Sequence, residues 1–463
     1  MMKRIRIGMV LALAAFLAGC QGPCDKITGI TAPRGANGSL DVTTFVAAGT
    51  SISAGWQSGG LVNRHQAHSF PAIFAQSIGK SVLANGQGVF TFPAVDHDGI
   101  PALTKIQSFS PLIISSAGQT QGAPANFAQN FAYNNMGIPG ALAVDFIDST
   151  NYHTTVAPPQ GIGRSNFTMF NLIQRGRGTI AEQVVSLAPT LISFEYGSNE
   201  VLGAATAGTP ALLFPSATYA AILTGSMNFI HTFAPNAKLA IWNVPNVTSI
   251  PFCTTFKPYT VSLSTGQPVP LVGPGNAPLG AGDLVLLTAG DSLAFGTGIP
   301  VGAYNYVNRS APGNGRPLRD SQVLSVSEQS SILTTTANMN AAIDSVATRP
   351  WIAKVDLNGL LADAALHGIQ VGATLYTSAF ITGGLFSLDG VHPNDLAHAV
   401  AANAMIDALN IRFGASLGHV NVAAYATNTA SSAHPAPRED GLPAPLRVTG
   451  LQDGFHVLFP WKP

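Results

Sequence analysis

The sequence predicts an α/β fold, a mostly parallel sheet with helices covering both of its faces. Three observations carry the prediction. Short, almost wholly apolar runs recur along the chain, longer segments between them space their apolar residues for one helical face, and the two kinds alternate. Strands that are apolar throughout are buried on both sides, and strand–helix alternation is the pattern of crossover units in a parallel sheet. At 463 residues the chain is long enough to bury a full core.

The elements follow in order. Residues 42–49 (VTTFVAAG) read as a buried strand and 69–79 (SFPAIFAQSIG) as a short amphipathic helix. Residues 179–188 are helical and 189–197 (PTLISFEYG) form a strand; 217–234 are helical and 237–247 (AKLAIWNVPNV) form the next strand. Residues 327–348 make a long helix, 351–357 (WIAKVDL) a strand, and 392–414 a last helix closed by Gly414. Two stretches break the alternation. Residues 251–322 are rich in Pro and Gly with little periodicity, and read as an insertion after the 237–247 strand. Residues 415–463 read as an irregular tail, packed on the surface or partly disordered. The main domain therefore runs over 41–414. In such sheets, sites form at the carboxyl ends of the strands.

The first residues point to export. Lys3, Arg4 and Arg6 precede an apolar run of signal-peptide length, followed by Leu17-Ala18-Gly19-Cys20. The run is too short to span a bilayer comfortably. Small residues directly before a Cys resemble the bacterial lipobox. The resemblance implies a lipoprotein signal peptide at 1–19, lipid on Cys20, and a Gly/Pro-rich tether over 20–40. Gln21 in place of Asp implies the outer membrane, facing the periplasm or the outside. A plain secretory signal and an anchor helix are the alternatives. In an oxidising compartment Cys24 and Cys253 either pair or remain thiols. Charged residues are only 10% of the chain and the formal net charge is +0, with no basic patch interleaved with aromatics, which argues against a nucleic-acid partner. No Cys/His spacing suits zinc, and no metal or cofactor is expected.

Four stretches offer parts of an acyl-transfer site. Gly49-Thr50-Ser51-Ile52-Ser53-Ala54-Gly55 follows a strand directly, so it is either a nucleophile turn that presents Ser51 at the sheet's rim or an ordinary small-residue loop. Asn135-Met136-Gly137-Ile138-Pro139-Gly140 is either a tight turn or a place where the Gly137 N–H meets developing negative charge. In Tyr196-Gly197-Ser198-Asn199-Glu200 the Asn199 amide either donates to the same charge or caps a helix. Asp389-Gly390-Val391-His392-Pro393-Asn394 puts a carboxylate and an imidazole three residues apart. They meet if the loop curls, and are otherwise a surface Asp and a helix-entry His. A fifth stretch, Gly290-Asp291-Ser292-Leu293, spells a hydrolase tag but lies in the insertion.

In this order the four stretches resemble the SGNH hydrolases, the GDSL esterase and lipase superfamily, over about residues 42–414. "NMGIPG" and "DGVHPN" are the more specific blocks, and "WNVPNVTSIPF" (242–252) resembles the segment after the family's fourth strand. The resemblance implies a three-layer α/β/α sandwich with a flavodoxin-like sheet. It implies Ser51 as nucleophile, His392 as base and Asp389 as the group that orients it. The oxyanion hole would come from the Ser51 and Gly137 N–H groups and the Asn199 side chain. Two positions depart from the family pattern: Thr50 stands where the family has Asp, and Glu200 where it has Asp after the third-block Asn. Were Ser292 the nucleophile, Gly137 and Asn199 would both precede it and the block order would break.

The expected activity is therefore hydrolysis of carboxylic esters through an acyl-enzyme, with short-chain or lipid esters as substrates. Removal of O-acetyl groups from a cell-surface glycan is the alternative within the enzyme class. An outer-membrane lipoprotein that binds a glycan or partner without turnover is the alternative outside it. The insertion carries Phe252, Phe256 and Tyr259, and is expected either to cover the site as a lid for acyl chains or to pack as loops on the domain edge.

Overall fold

The computed structural model describes residues 38, 40–109, 112–147, 167–428 and 446–448. The leader, Cys20, Cys24 and nearly all of the tether lie outside the described residues.

Five parallel strands form the central sheet: β1 (Phe45–Gly49), β2 (Asn135–Gly137), β3 (Leu191–Glu195), β4 (Lys238–Trp242) and β5 (Ile352–Val355). Their spatial order is β2-β1-β3-β4-β5, a doubly wound order in which the chain starts inside the sheet and builds outward both ways. Successive side chains on a strand point to opposite faces. Val46, Ala48, Ile192, Phe194, Leu239 and Ile241 accordingly enter one core. Phe45, Ala47, Leu191, Ala240, Trp242 and Val355 enter the other. β1 and β3 are buried along their whole length because both faces of the sheet are covered.

Eight helices matter for the site and its support. They are α1 (Ser51–Ala54), α2 (Phe70–Ser77), α3 (Ile180–Ser186), α4 (Asn199–Ala207), α5 (Ser216–Phe233), α6 (Val326–Ala347), α7 (Leu357–Leu366) and α8 (Asp395–Phe413). From α2 and α8, Phe70, Phe74, Met405 and Leu409 pack on the Phe45 face. From α3, α5 and α6, Val184, Leu223, Met227, Ile332 and Met339 pack on the Val46 face. The result is three layers, helix on sheet on helix.

Local chemistry sets the helix ends. Thr179 Oγ1 accepts from Glu182 N at 3.1 Å while the Glu182 carboxylate accepts from Thr179 N at 2.8 Å, a reciprocal box that starts α3. Asn394 caps α8 by accepting from Ala397 N at 3.1 Å, and α8 stops at Gly414 in the left-handed region (φ 62), as the sequence predicts.

The strands and helices expected at 42–49, 69–79, 179–197, 217–247, 327–357 and 392–414 all form. Residues 251–322 are better packed than expected, and of the 415–463 tail the described residues are 415–428 and 446–448. The 251–322 stretch sends Phe252, Phe256, Leu271, Leu286 and Tyr306 into the core that lies on the Val46 face of the sheet. The tail leans Val420, Val422 and Tyr425 on the α2–α8 core, and Leu446–Val448 pairs in parallel with Leu112–Ser115.

Candidate active site

β1 ends at Gly49 and runs at once into α1, so Ser51 opens a one-turn helix at the carboxyl edge of the sheet. Gly49 is required there. A Cβ on it would lie 2.2 Å from Ser53 Oγ and 2.9 Å from Glu195 Oε2. Ser51 is 2% exposed, and its Oγ lies 2.9 Å from His392 Nε2.

His392 comes from the loop before α8, and that loop does curl. Asp389 Oδ1 accepts from the backbone N–H groups of Val391 and His392, each at 2.9 Å, and from Ser387 Oγ at 3.0 Å. Its Oδ2 accepts from Gly59 N at 3.2 Å and lies 2.9 Å from His392 Nδ1. Burial opposes the charge on Asp389, but the His392 ring and these N–H donors outweigh it and hold the carboxyl below the usual carboxylate range. An ionised carboxylate only accepts hydrogen bonds, so it keeps the proton on Nδ1 and leaves Nε2 as the acceptor for the Ser51 hydroxyl. The fully buried Trp56 flanks the imidazole, ring centroids 6.2 Å apart. Ser51 and the Asp389–His392 pair, singled out on two separate segments of the sequence, thus form one hydrogen-bonded chain.

The insertion supports this loop and does not cover the site. Phe252 N donates to the Gly390 carbonyl at 2.8 Å. Phe252 and Phe256 are 0% and 2% exposed, and no residue of 251–322 lines the cavity beside Ser51. Of the two expectations for its aromatics, lid or packed loops, the second fits: Phe252 and Phe256 fill the core, and Tyr259 is exposed.

Glu195 is the residue that sequence reasoning missed. It sits in register with Gly49 across the β1–β3 pair, 1% exposed. Its carboxylate accepts from Thr50 N (3.0 Å), Thr50 Oγ1 (2.9 Å), Ser53 Oγ (3.0 Å) and Ser53 N (3.3 Å). Burial raises its pKa above the usual range in spite of those donors. Thr50 therefore meets a carboxylate supplied by the neighbouring strand. The available signal was an acidic residue closing the run LISFE, in which Ser193 is the other polar residue.

The oxyanion donors need one correction. The Gly137 N–H donates to Asn135 Oδ1 at 3.0 Å, so it is not free to meet an oxyanion. Gly137 instead permits close packing, since a Cβ there would lie 2.4 Å from Ala54 N. Three residues on, the Gly140 N–H has no acceptor among the described residues. Asn199 does not cap α4. It donates one amide hydrogen to the carbonyl of Ala141, next to Gly140, at 2.7 Å, and faces the same cavity as Ser51 and His392. Glu200 fixes the same turn by accepting from Ala143 N at 2.7 Å. The Ser51 N–H lies in the first turn of α1, where no acceptor exists inside the helix.

The literal GDSL stretch is a different place. Ser292 lies in a five-residue helix (Gly290–Ala294), and its Oγ accepts from Gln322 Nε2 at 2.9 Å. No histidine hydrogen-bonds to it among the described residues.

A second polar cluster fixes the start of α8. Asp395 accepts from Gln57 Nε2 at 2.6 Å and meets His65 Nδ1 at 2.8 Å and His68 Nδ1 at 2.7 Å. One turn on, burial pushes the His398 imidazole down to about 3, and its Nδ1 accepts from Phe70 N at 3.3 Å. Cys253 is buried with Sγ 3.6 Å from the Val247 carbonyl. No protein-family model matches the chain, and no curated protein matches it.

Proposed function

We propose that the chain is a serine hydrolase of the SGNH type that cleaves carboxylic esters through an acyl-enzyme. The observation that carries the reading is the Ser51–His392–Asp389 chain, two contacts of 2.9 Å at the carboxyl edge of a parallel sheet. The strand order, which matches flavodoxin-like sheets, supports it. Glu195 supports it further, because it supplies the turn with the carboxylate that Thr50 lacks.

In the first half-reaction Ser51 Oγ attacks the ester carbonyl carbon as its proton passes to His392 Nε2. Asp389 stabilises the imidazolium that forms. Negative charge builds on the former carbonyl oxygen and is met by the Ser51 and Gly140 N–H groups and the second amide hydrogen of Asn199. Loss of one such donor typically costs about 3 kcal/mol in the transition state. Collapse expels the alkoxide, which takes the proton back from His392. Water, deprotonated by His392, then releases the acid and restores Ser51.

The test is turnover of p-nitrophenyl esters by the wild type, Ser51→Ala and Ser292→Ala. The reading expects loss only with Ser51→Ala; activity kept there and lost with Ser292→Ala contradicts it. Export with a lipid on Cys20 belongs to the same proposal. Labelled palmitate should enter the wild type and not Cys20→Ala; equal labelling of both rejects that anchor.

A further inference from the structure

A cavity of about 110 Å³ opens against Ser51 and His392. The polar residues facing it are few: Ser51, His392, Asn199 and Ser198, with the Trp242 indole N–H already donated to Ser193 Oγ at 2.9 Å. Its far wall comes from α7. Leu357, Leu360, Leu361 and Ala364 fall at positions i, i+3, i+4 and i+7 and all line it. Such a stripe is what a helix normally buries in its neighbour. Here the stripe also lines the cavity, and the residues that α8 adds to the lining are the small or short Ala397, Val400 and Ala401.

We propose, resting on the ester-hydrolase reading above, that this cavity holds the acyl chain of the substrate, and that α7 sets the length it accepts. A carbonyl attacked by Ser51 has its acyl side at the cavity's polar mouth, and the rest of the wall has nothing to bond a hydroxyl. A sugar placed there would leave its hydroxyl groups unpaired, which is costly in an apolar site. The occupant is an aliphatic acyl group and not a glycan. Size sets the length: a dry apolar cavity of about 150 Å³ holds a six-carbon ring, so about 110 Å³ takes roughly four or five carbons.

The experiment is a p-nitrophenyl ester series from acetate to decanoate with the wild type, Ala364→Phe and Leu360→Ala. For the wild type, kcat/KM should rise about fourfold per added methylene and level off between butanoate and hexanoate. Ala364→Phe, which fills the cavity, should lower the hexanoate-to-acetate ratio of kcat/KM at least tenfold. Leu360→Ala, which enlarges it, should move the optimum to a longer chain and keeps the test open if the Phe variant fails to fold. A wild-type optimum at acetate, with no change of ratio in either variant, overturns the acyl-cavity assignment and leaves hydrolysis by Ser51 standing. A folded wild type that turns over no ester of the series removes both.

Discussion

Ser51 and Ser292 each lie in a short helix within a glycine-flanked turn, and each hydroxyl is hydrogen-bonded at 2.9 Å. Their partners separate them. Ser51 meets an imidazole whose other nitrogen is held by a buried carboxylate, whereas Ser292 meets the amide of Gln322, which takes up no proton. Asp291 stands directly before Ser292 in the chain, yet among the described residues no histidine hydrogen-bonds to that serine. Ser51 has Thr50 before it, and its turn is braced by a carboxylate 145 residues away. A nucleophile is made by what surrounds it in space, and a four-letter run supplies none of that.

The comparison can be broken or sharpened by paired substitutions. The largest effect belongs to the orienting carboxylate. Asp389→Asn should lower kcat on the order of 10⁴-fold, because an amide permits the wrong imidazole tautomer; Asp291→Asn should leave turnover within about twofold. A strong loss from the second variant would return attention to the literal motif. Next is Asn199→Ala, for which a fall in kcat of about 10² to 10³ is expected with little change in KM. A rise in KM alone would mean that Asn199 only binds substrate.

Smaller effects test the braces. Glu195→Ala leaves the buried donors of Thr50 and Ser53 unpaired and should cost about 3 kcal/mol in denaturant unfolding. Gln322→Ala, which removes one neutral hydrogen bond beside Ser292, should cost about 1 kcal/mol. Equal costs would deny Glu195 its bracing role. The smallest effect is a pH dependence. The Asp389 carboxyl lies below its ordinary value in the folded chain. The unfolded chain therefore takes up that proton first on acidification. The resulting stability is complete above about pH 4, the ordinary carboxylate value, and is lost as pH falls through the folded value. Unfolding followed from pH 6 to pH 3 should show a shallower decline in Asp389→Asn than in the wild type.

Much of the fold was legible because β1, β3, β4 and β5 are mostly buried and read as short, largely apolar runs, interrupted only by single polar residues such as Ser193 and Lys354. β2 is three residues long, too short to show a period, and α4 is buried almost all round, so it shows no amphipathic stripe. Within the site, Asp389 and His392 were legible because their contact is local. Glu195 was not, since its meeting with Thr50 depends on the β1–β3 register. Gly137 and Gly140 lie in one hexapeptide, and the Asn135 side chain decides which N–H stays free. The aromatics of the insertion were apparent in the sequence, but whether they face the site or the core is a property of packing.

The most direct measurement is covalent trapping. Incubation of the folded protein with a fluorophosphonate, followed by proteolysis and mass spectrometry, identifies the serine that attacks. The account predicts a single adduct on the peptide carrying Ser51, abolished in His392→Ala, with Ser292 unmodified. An adduct on Ser292, or labelling of Ser51 that persists at the same rate without His392, would contradict it.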